Sequence, residues 1–231
     1  MSEPLDYEAL VDDVLHHAND QESHVERDAS TFHPSQLVQC ERRAYCSKLG
    51  LDDQSDILGV FQTGTLIHEF LEDRLGDAVP NSNRIALEEL VEYADPRTSI
   101  KITGRADCID VERGEVHDFK TRNGWYNFDP PVQRHLDQLH LYMAGLPHVD
   151  EARVIYLSKG DMEVRQWPED GTFEFNPDRY EELIAKAERI CAEIEANGMP
   201  ETVDDIPFEK CGCYFCEQET LVDDLEVDDA E

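Results

Sequence analysis

Lysine is scarce in this chain: six residues of 231, against fourteen arginines and 53 acids. The formal charge is −33, and a surface so short of bases cannot draw in a polyanion by long-range attraction at low ionic strength. The acids run through the whole sequence rather than collecting in a tail. That spread points to halophilic adaptation, because at about 1 M salt the screening length falls to roughly 3 Å and self-repulsion costs little. Under the same screening an acidic protein loses much of its handicap toward nucleic acid, so DNA stays open as a partner. Long apolar runs are missing too. No stretch of about 18 apolar residues occurs, which excludes a transmembrane helix. The acidic stretch from Met1 to His17 lacks the basic and apolar segments of a signal peptide. A cytoplasmic protein with no membrane partner is expected. Also absent are internal repeats, Gly/Ser-rich linkers and any Gly-x-x-x-x-Gly-Lys-Ser/Thr run, which rules out a P-loop motor.

What is present suffices for one substantial domain, since 40% of the residues are hydrophobic. The reading divides the chain into an acidic segment over 1–33, a folded region over 34–221 and an acidic tail over 222–231. Ser35 after Pro34 predicts a helix through Cys40 to about Lys48. Thr63 or Gly64 opens a second, in which Leu66, Ile67, Phe70, Leu71 and Leu75 keep helical spacing. Ile85–Tyr93, Ser99–Val111 and Glu115–Thr121 read as strands, the last two joined by a hairpin turn at Arg113-Gly114. An amphipathic helix is expected from Pro131 to Leu146, then short strands over Ala152–Leu157 and Met162–Trp167, then a long helix from Pro177 to about Asn197. The order α-βββ-α-β, with helices flanking a mixed sheet, is an α/β sandwich.

Four short motifs fall on this scaffold in order. Gly64-x-x-x-His68 sits in the second helix, Gly104-Arg105-Ala106-Asp107 in the second strand, Asp118-Phe119-Lys120 in the third strand and Gln138-x-x-x-Tyr142 in the helix after it. Residues two apart on a strand point to one face, so the Asp118 carboxylate and the Lys120 ammonium share a side. The hairpin can bring Asp107 beside Asp118, and carboxylates that close repel unless a divalent cation lies between them. Hard oxygen ligands suit Mg²⁺ or Mn²⁺, ions that polarise phosphoryl oxygens and acidify water. His68 can add an imidazole ligand. Gln138 and Tyr142 share a helix face and can orient Lys120 or touch a DNA backbone. Taken singly each motif has an ordinary reading: a solvated strand face, a boundary histidine, a common turn. Their conjunction, in this order and on these elements, is specific.

The series resembles the RecB-like branch of the PD-(D/E)XK nucleases from about Pro34 to Cys216. It is most similar to the small CRISPR-associated iron–sulfur exonucleases, and similar also to the nuclease lobe of the AddB helicase-nuclease. The resemblance implies a restriction-endonuclease-like mixed sheet flanked by helices. It implies a metal-dependent DNA exonuclease preferring single-stranded ends, partnered by a CRISPR integrase or by recombination and repair proteins, in a family where oligomers occur. It gives metal binding to His68, Asp107 and Asp118, service of the attacking water to Lys120, and a supporting role to Gln138 and Tyr142. Asp118 departs from the glutamate common at its position. A reading from another class, a cluster-bearing DNA-binding or scaffold protein with little catalysis, would be favoured by a missing motif residue, and none is missing.

Seven cysteines in an intracellular chain read as metal ligands or buried thiols rather than disulfides. Cys211-x-Cys213-x-x-Cys216 packs three thiols into six residues, so a fourth ligand has to come from elsewhere. The resemblance points to Cys40, because the Glu41-Arg42-Arg43 after it is similar to the Pro-Arg-Arg run that follows the family's first cluster cysteine. Cys46 is the rival. Four thiolates hold a four-iron–four-sulfur cluster or a structural zinc, and either ties the first helix to the C-terminal segment. The resemblance favours iron–sulfur, with zinc the alternative. The spacing departs from the family's C-x-x-C followed by a wider gap. Cys108 and Cys191 lie in apolar-patterned elements and read as buried thiols.

Overall fold

A computed structural model describes residues 28–51, 58–79 and 83–217. The expected acidic segment up to position 27 and the expected tail over 222–231 lie outside the described residues. Seven strands form one mixed sheet. They are β1 (Thr31–Phe32), β2 (Ile85–Ala94), β3 (Lys101–Asp110), β4 (Glu115–Arg122), β5 (Glu151–Ser158), β6 (Val164–Trp167) and β7 (Phe173–Glu174). The helices are α1 (Pro34–Leu37), α2 (Glu41–Lys48), α3 (Leu58–Ala78), α4 (Gln133–Gly145), α5 (Pro177–Asn197) and α6 (Tyr214–Glu217). Among the described residues no helix is long and apolar enough to cross a membrane.

β2, β3 and β4 form an antiparallel meander, and β5 then lies parallel to β4. A parallel neighbour cannot be reached by a tight turn, so the chain crosses over through α4. That crossover lays α4 on one sheet face, where Leu136, Leu139 and Met143 pack on Val116, Val154 and Tyr156. α3 covers the opposite face, its His68 ring meeting the Phe119 ring edge-on at 6.3 Å. β6 and β7 both add antiparallel to β5, and β1 pairs in parallel with the start of β3.

A second core lies beyond the sheet, where Leu183, Ile184 and Ile190 of α5 meet Phe32, Leu37 and Tyr45. The C-terminal arm docks here through Ile206 and Phe215. Arg42 fastens it: the buried guanidinium donates to the carbonyls of Val203 and Phe208, each at 2.8 Å. On the other side Lys186 of α5 donates to the carbonyls of Leu37 (2.6 Å) and Gln39, holding the turn just before Cys40.

The helix expected through Cys40 is instead two helices. The chain turns after Leu37, and Cys40 takes an extended conformation (φ −62°, ψ 158°) as the N-cap of α2, its Sγ accepting from the Arg43 amide at 3.4 Å. Residues at an N-cap leave helical geometry to satisfy a free amide, which also swings the Cys40 thiol toward the C-terminal arm. α3 begins at Leu58, before the expected Thr63 or Gly64. The last β-hairpin strand starts at Val164 rather than Met162, which sits in a turn at φ +58°. β1 and β7 went unforeseen, each being two residues long.

Candidate active site

β3 and β4 pair only over Cys108–Asp110 and Glu115–His117. Beyond Cys108↔His117 the hairpin forks, and the first residues past the last rung are Asp107 and Asp118. The closed end is pinned by Arg84, which donates to Asp110 Oδ2 at 2.6 Å, and by Arg153, which donates to the buried Glu115 at 2.9 Å. The open end leaves backbone groups without ladder partners, which a buried strand has to satisfy otherwise. Asp107 Oδ2 does this by accepting from the Phe119 amide at 2.6 Å.

Asp118 lies across the fork, fully buried. Its Oδ1 accepts from Lys120 Nζ at 2.9 Å, while its Oδ2 has no hydrogen-bond partner among the described residues. An orphaned carboxylate oxygen costs several kilocalories in an apolar setting, so this atom fits a cation ligand.

His68 comes from α3, its Nδ1 3.8 Å from Asp107 Oδ2. Gly64, one turn earlier, lets the helix approach: a Cβ there would stand 3.2 Å from Thr121 Oγ1. Gly104 plays the same part in β3, where a Cβ would meet Pro34 Cδ at 2.9 Å and Tyr142 Cε1 at 3.3 Å. Gln138 and Tyr142 are buried, joined by a bond from Gln138 Nε2 to the Tyr142 hydroxyl at 3.2 Å. Burial pushes that phenol upward, and the negative charge of Asp118 pushes it the same way. The motif pair therefore lies under the carboxylates.

One further carboxylate belongs to the site. Glu88 of β2, Asp107 and His68 offer ligand atoms that all lie within 4.8 Å of one another. Glu88 stands opposite Asp107 in an otherwise continuous ladder that omits this pair, and it adopts φ +49°. The core-facing side of both strands changes parity there, from Ala86 and Ile109 to Val91 and Ala106. Left-handed backbone at a non-glycine residue is rare and concentrates at functional sites. The sequence signal was the Glu88-Glu89 doublet, which interrupts the alternation of β2. A cavity of about 340 Å³ opens at this point, lined also by Glu69 and Glu72 of α3.

Electrostatics agree with a cation site. Burial raises Asp107 to about 6 and Asp118 to about 7, against the pull of the Lys120 ammonium. Burial, with Lys120 adding to it, pushes His68 below the usual imidazole range, which favours the neutral ring that ligates metals. Unfolded carboxyls ionise near pH 4. Between roughly pH 4 and 7 the folded chain therefore holds more protons than the unfolded one, and the pair's contribution to stability falls as pH rises. In EDTA, the melting temperature of Asp118→Asn should decline less from about pH 5 to 8 than that of the wild type. Parallel declines in the two proteins would dismiss this electrostatic picture.

The cysteines form a second constellation. Cys40 Sγ lies 3.8 Å from Cys213 Sγ and 3.6 Å from Cys216 Sγ, and Cys211 Sγ lies 3.8 Å from Cys216 Sγ. All four thiols fall within 4.8 Å of one another. For Cys213 burial is outweighed by hydrogen bonds from the Cys216 amide and neighbouring thiols, which bring it down to about 7. Cys46, Cys108 and Cys191 are buried and stand outside the quartet. Thiolates on a tetrahedral ion with bonds of about 2.3 Å lie roughly 3.8 Å apart, close to the 3.6–3.8 Å of these three pairs. A four-iron cluster puts a cubane between its ligands, and the quartet would have to spread to admit one.

Among curated proteins no sequence matches this one. The crystal structure of SSO0001 is similar at 22% identity with a TM-score of 0.56, over 83% of this chain and 88% of that one, a likeness of fold. The crystal structure of LHK-Exo in complex with dAMP aligns at 15% identity and a TM-score of 0.49, over 71% of this chain and 87% of that one. The sequence profile of the PD-(D/E)XK nuclease superfamily matches residues 82–220, from β2 to just past the last cysteine. The forked hairpin, its carboxylates and Lys120 all lie within that match, and the chain belongs to the PD-(D/E)XK nuclease superfamily.

Proposed function

We infer that the protein is a divalent-metal-dependent deoxyribonuclease that trims DNA from single-stranded ends. The observation that carries this reading is the buried, half-satisfied Asp118 beside Asp107 and Lys120 at the mouth of the fork. Asp107, Asp118 and His68, joined by Glu88, would hold Mg²⁺ or Mn²⁺. The donor set of carboxylate oxygens and one imidazole suits either ion. When bound, the cation supplies Lewis acidity to a phosphoryl oxygen and lowers the pKa of water. Lys120 keeps an ammonium where it can hold the attacking water and offset charge developing on the phosphate. Tyr142 and Gln138 brace β3 and β4 from below, so the two carboxylates keep their separation. Phe119, on the opposite face of β4, fixes the His68 ring.

The cysteine quartet serves as a staple between α2 and the C-terminal arm. Its thiol spacing favours one tetrahedral zinc over the iron–sulfur cluster that the family resemblance implies. Closing a loop of this length stabilises chiefly by restricting the unfolded chain.

Two outcomes are expected. Purified protein in molar KCl with Mn²⁺ should degrade end-labelled single-stranded DNA, and Lys120→Ala should slow this at least about 100-fold with an unchanged circular dichroism spectrum. A Lys120→Ala protein as fast as the wild type would remove the nuclease assignment of this residue. After anaerobic purification, elemental analysis should find zinc in the wild type and lose it in Cys213→Ser. Iron with broad visible absorption would instead establish the cluster.

A further inference from the structure

Asp118, Lys120 and Arg122 alternate along β4, so all three side chains point to the α4 face. The row runs from carboxylate to ammonium to guanidinium over about 13 Å. At its end stands a group of side chains that the metal site does not use. Arg122 lies 3.6 Å from the centroid of the Phe128 ring and 5.7 Å from that of Trp125. It also donates to the carbonyls of Gly124 and Tyr126, which folds the segment after β4 back over its own guanidinium. Arg165, reaching over from β6, places its guanidinium 4.3 Å from the Trp125 centroid. The Trp125 indole N–H donates to Glu163 at 2.7 Å, so the ring is held in one orientation. Beside it Tyr126 is 88% exposed, the most exposed large apolar side chain described. The group abuts the carboxylates: Phe128 packs edge-on to Tyr156 at 4.7 Å, and Tyr156 is the in-register neighbour of Lys120.

We propose that Trp125, Tyr126 and the flanking Arg122 and Arg165 form a stacking platform for the unpaired bases of a DNA strand whose phosphates cross the carboxylate fork. The proposal rests on the nuclease reading of that fork and says how the substrate is held there. A chain of net charge −33 cannot rely on general attraction for phosphate. Contacts that do not depend on net charge must then hold the strand, and aromatic and guanidinium planes supply them to any base. Two of the chain's twenty cations gather on this one aromatic group, with Glu163 as the carboxylate that positions Arg165 and Trp125. Bases within a duplex keep their faces stacked on one another, so the platform selects single strands.

Trp125 and Trp167 are the chain's two tryptophans, which gives a direct test. In Trp167→Phe, with EDTA to prevent cleavage, an oligo-dT single strand should quench the Trp125 emission, and a duplex of equal length should not. Tyr126→Ala and Arg165→Ala, assayed in the full chain by fluorescence anisotropy of labelled oligo-dT, should each weaken binding about tenfold. Their thermal stabilisation by Mn²⁺ should stay as in the wild type. The platform is overturned if the strand binds without quenching Trp125, or if both variants bind as tightly as the wild type. Should Trp167→Phe fail to fold, Trp125→Phe provides the same contrast by losing the quench that the wild type shows. Quenching in a protein that cleaves nothing would retain the platform and reject the nuclease reading, whereas cleavage without quenching would do the reverse.

Discussion

A buried carboxylate oxygen with no hydrogen-bond partner among the described residues is the constraint around which the molecule is arranged. Asp118 Oδ2 sits at the opening of a hairpin whose far end is clamped by Arg84 on Asp110 and Arg153 on Glu115. Those clamps keep the strands paired on one side, so the separation between β3 and β4 begins at Asp107 and Asp118. Left to folding energetics alone, a site like this is a defect, since it buries two carboxyls that burial pushes toward the protonated form. Proteins retain such local conflicts where function requires them. The left-handed Glu88 on the neighbouring strand is a second conflict at the same place.

The remaining elements read as supports for that opening. α4 closes the sheet face under Asp118 and carries Gln138 and Tyr142, while α3 closes the other face and delivers His68 past the gap left by Gly64. The cysteine quartet lies at the edge of the second core, where Arg42 and Lys186 fix its two approaches through backbone carbonyls. On the proposed reading, cutting falls to the carboxylate fork and strand binding to the aromatic edge further along β4. That division suits a chain whose overall charge opposes its substrate.

Much of this was legible in the sequence, and the parts that were not have physical causes. Alternation over Glu115–Thr121 put Asp118 and Lys120 on one face, and the turn at Arg113-Gly114 set the register that brings Asp107 opposite Asp118. α5 matched its expected limits because an Asn176 cap, Pro177 and a long apolar period all agree. Glu88 was missed although the Glu88-Glu89 doublet marks it, because its role depends on a backbone irregularity that reverses which side chains face the core, and periodicity arguments assume regular backbone. The break before Cys40 was missed for a related reason: what restarts the helix is a thiol cap linked to residues some 170 positions away. β1 and β7 are too short to carry a period. Arg165 comes from β6 and Trp125 from the segment after β4, with β5 between those strands, so only the folded sheet brings them together.

The central claim is that the fork is built for a cation rather than for stability. Calorimetric titration of Mn²⁺ into wild type and Asp118→Asn at about pH 8, with metal-free melting temperatures recorded on the same samples, addresses it most directly. Asp118→Asn should melt at least as high as the wild type without metal and bind Mn²⁺ far more weakly. A variant that melts well below the wild type and still binds Mn²⁺ with wild-type affinity would show that Asp118 holds the fold together and leaves the cation to other residues.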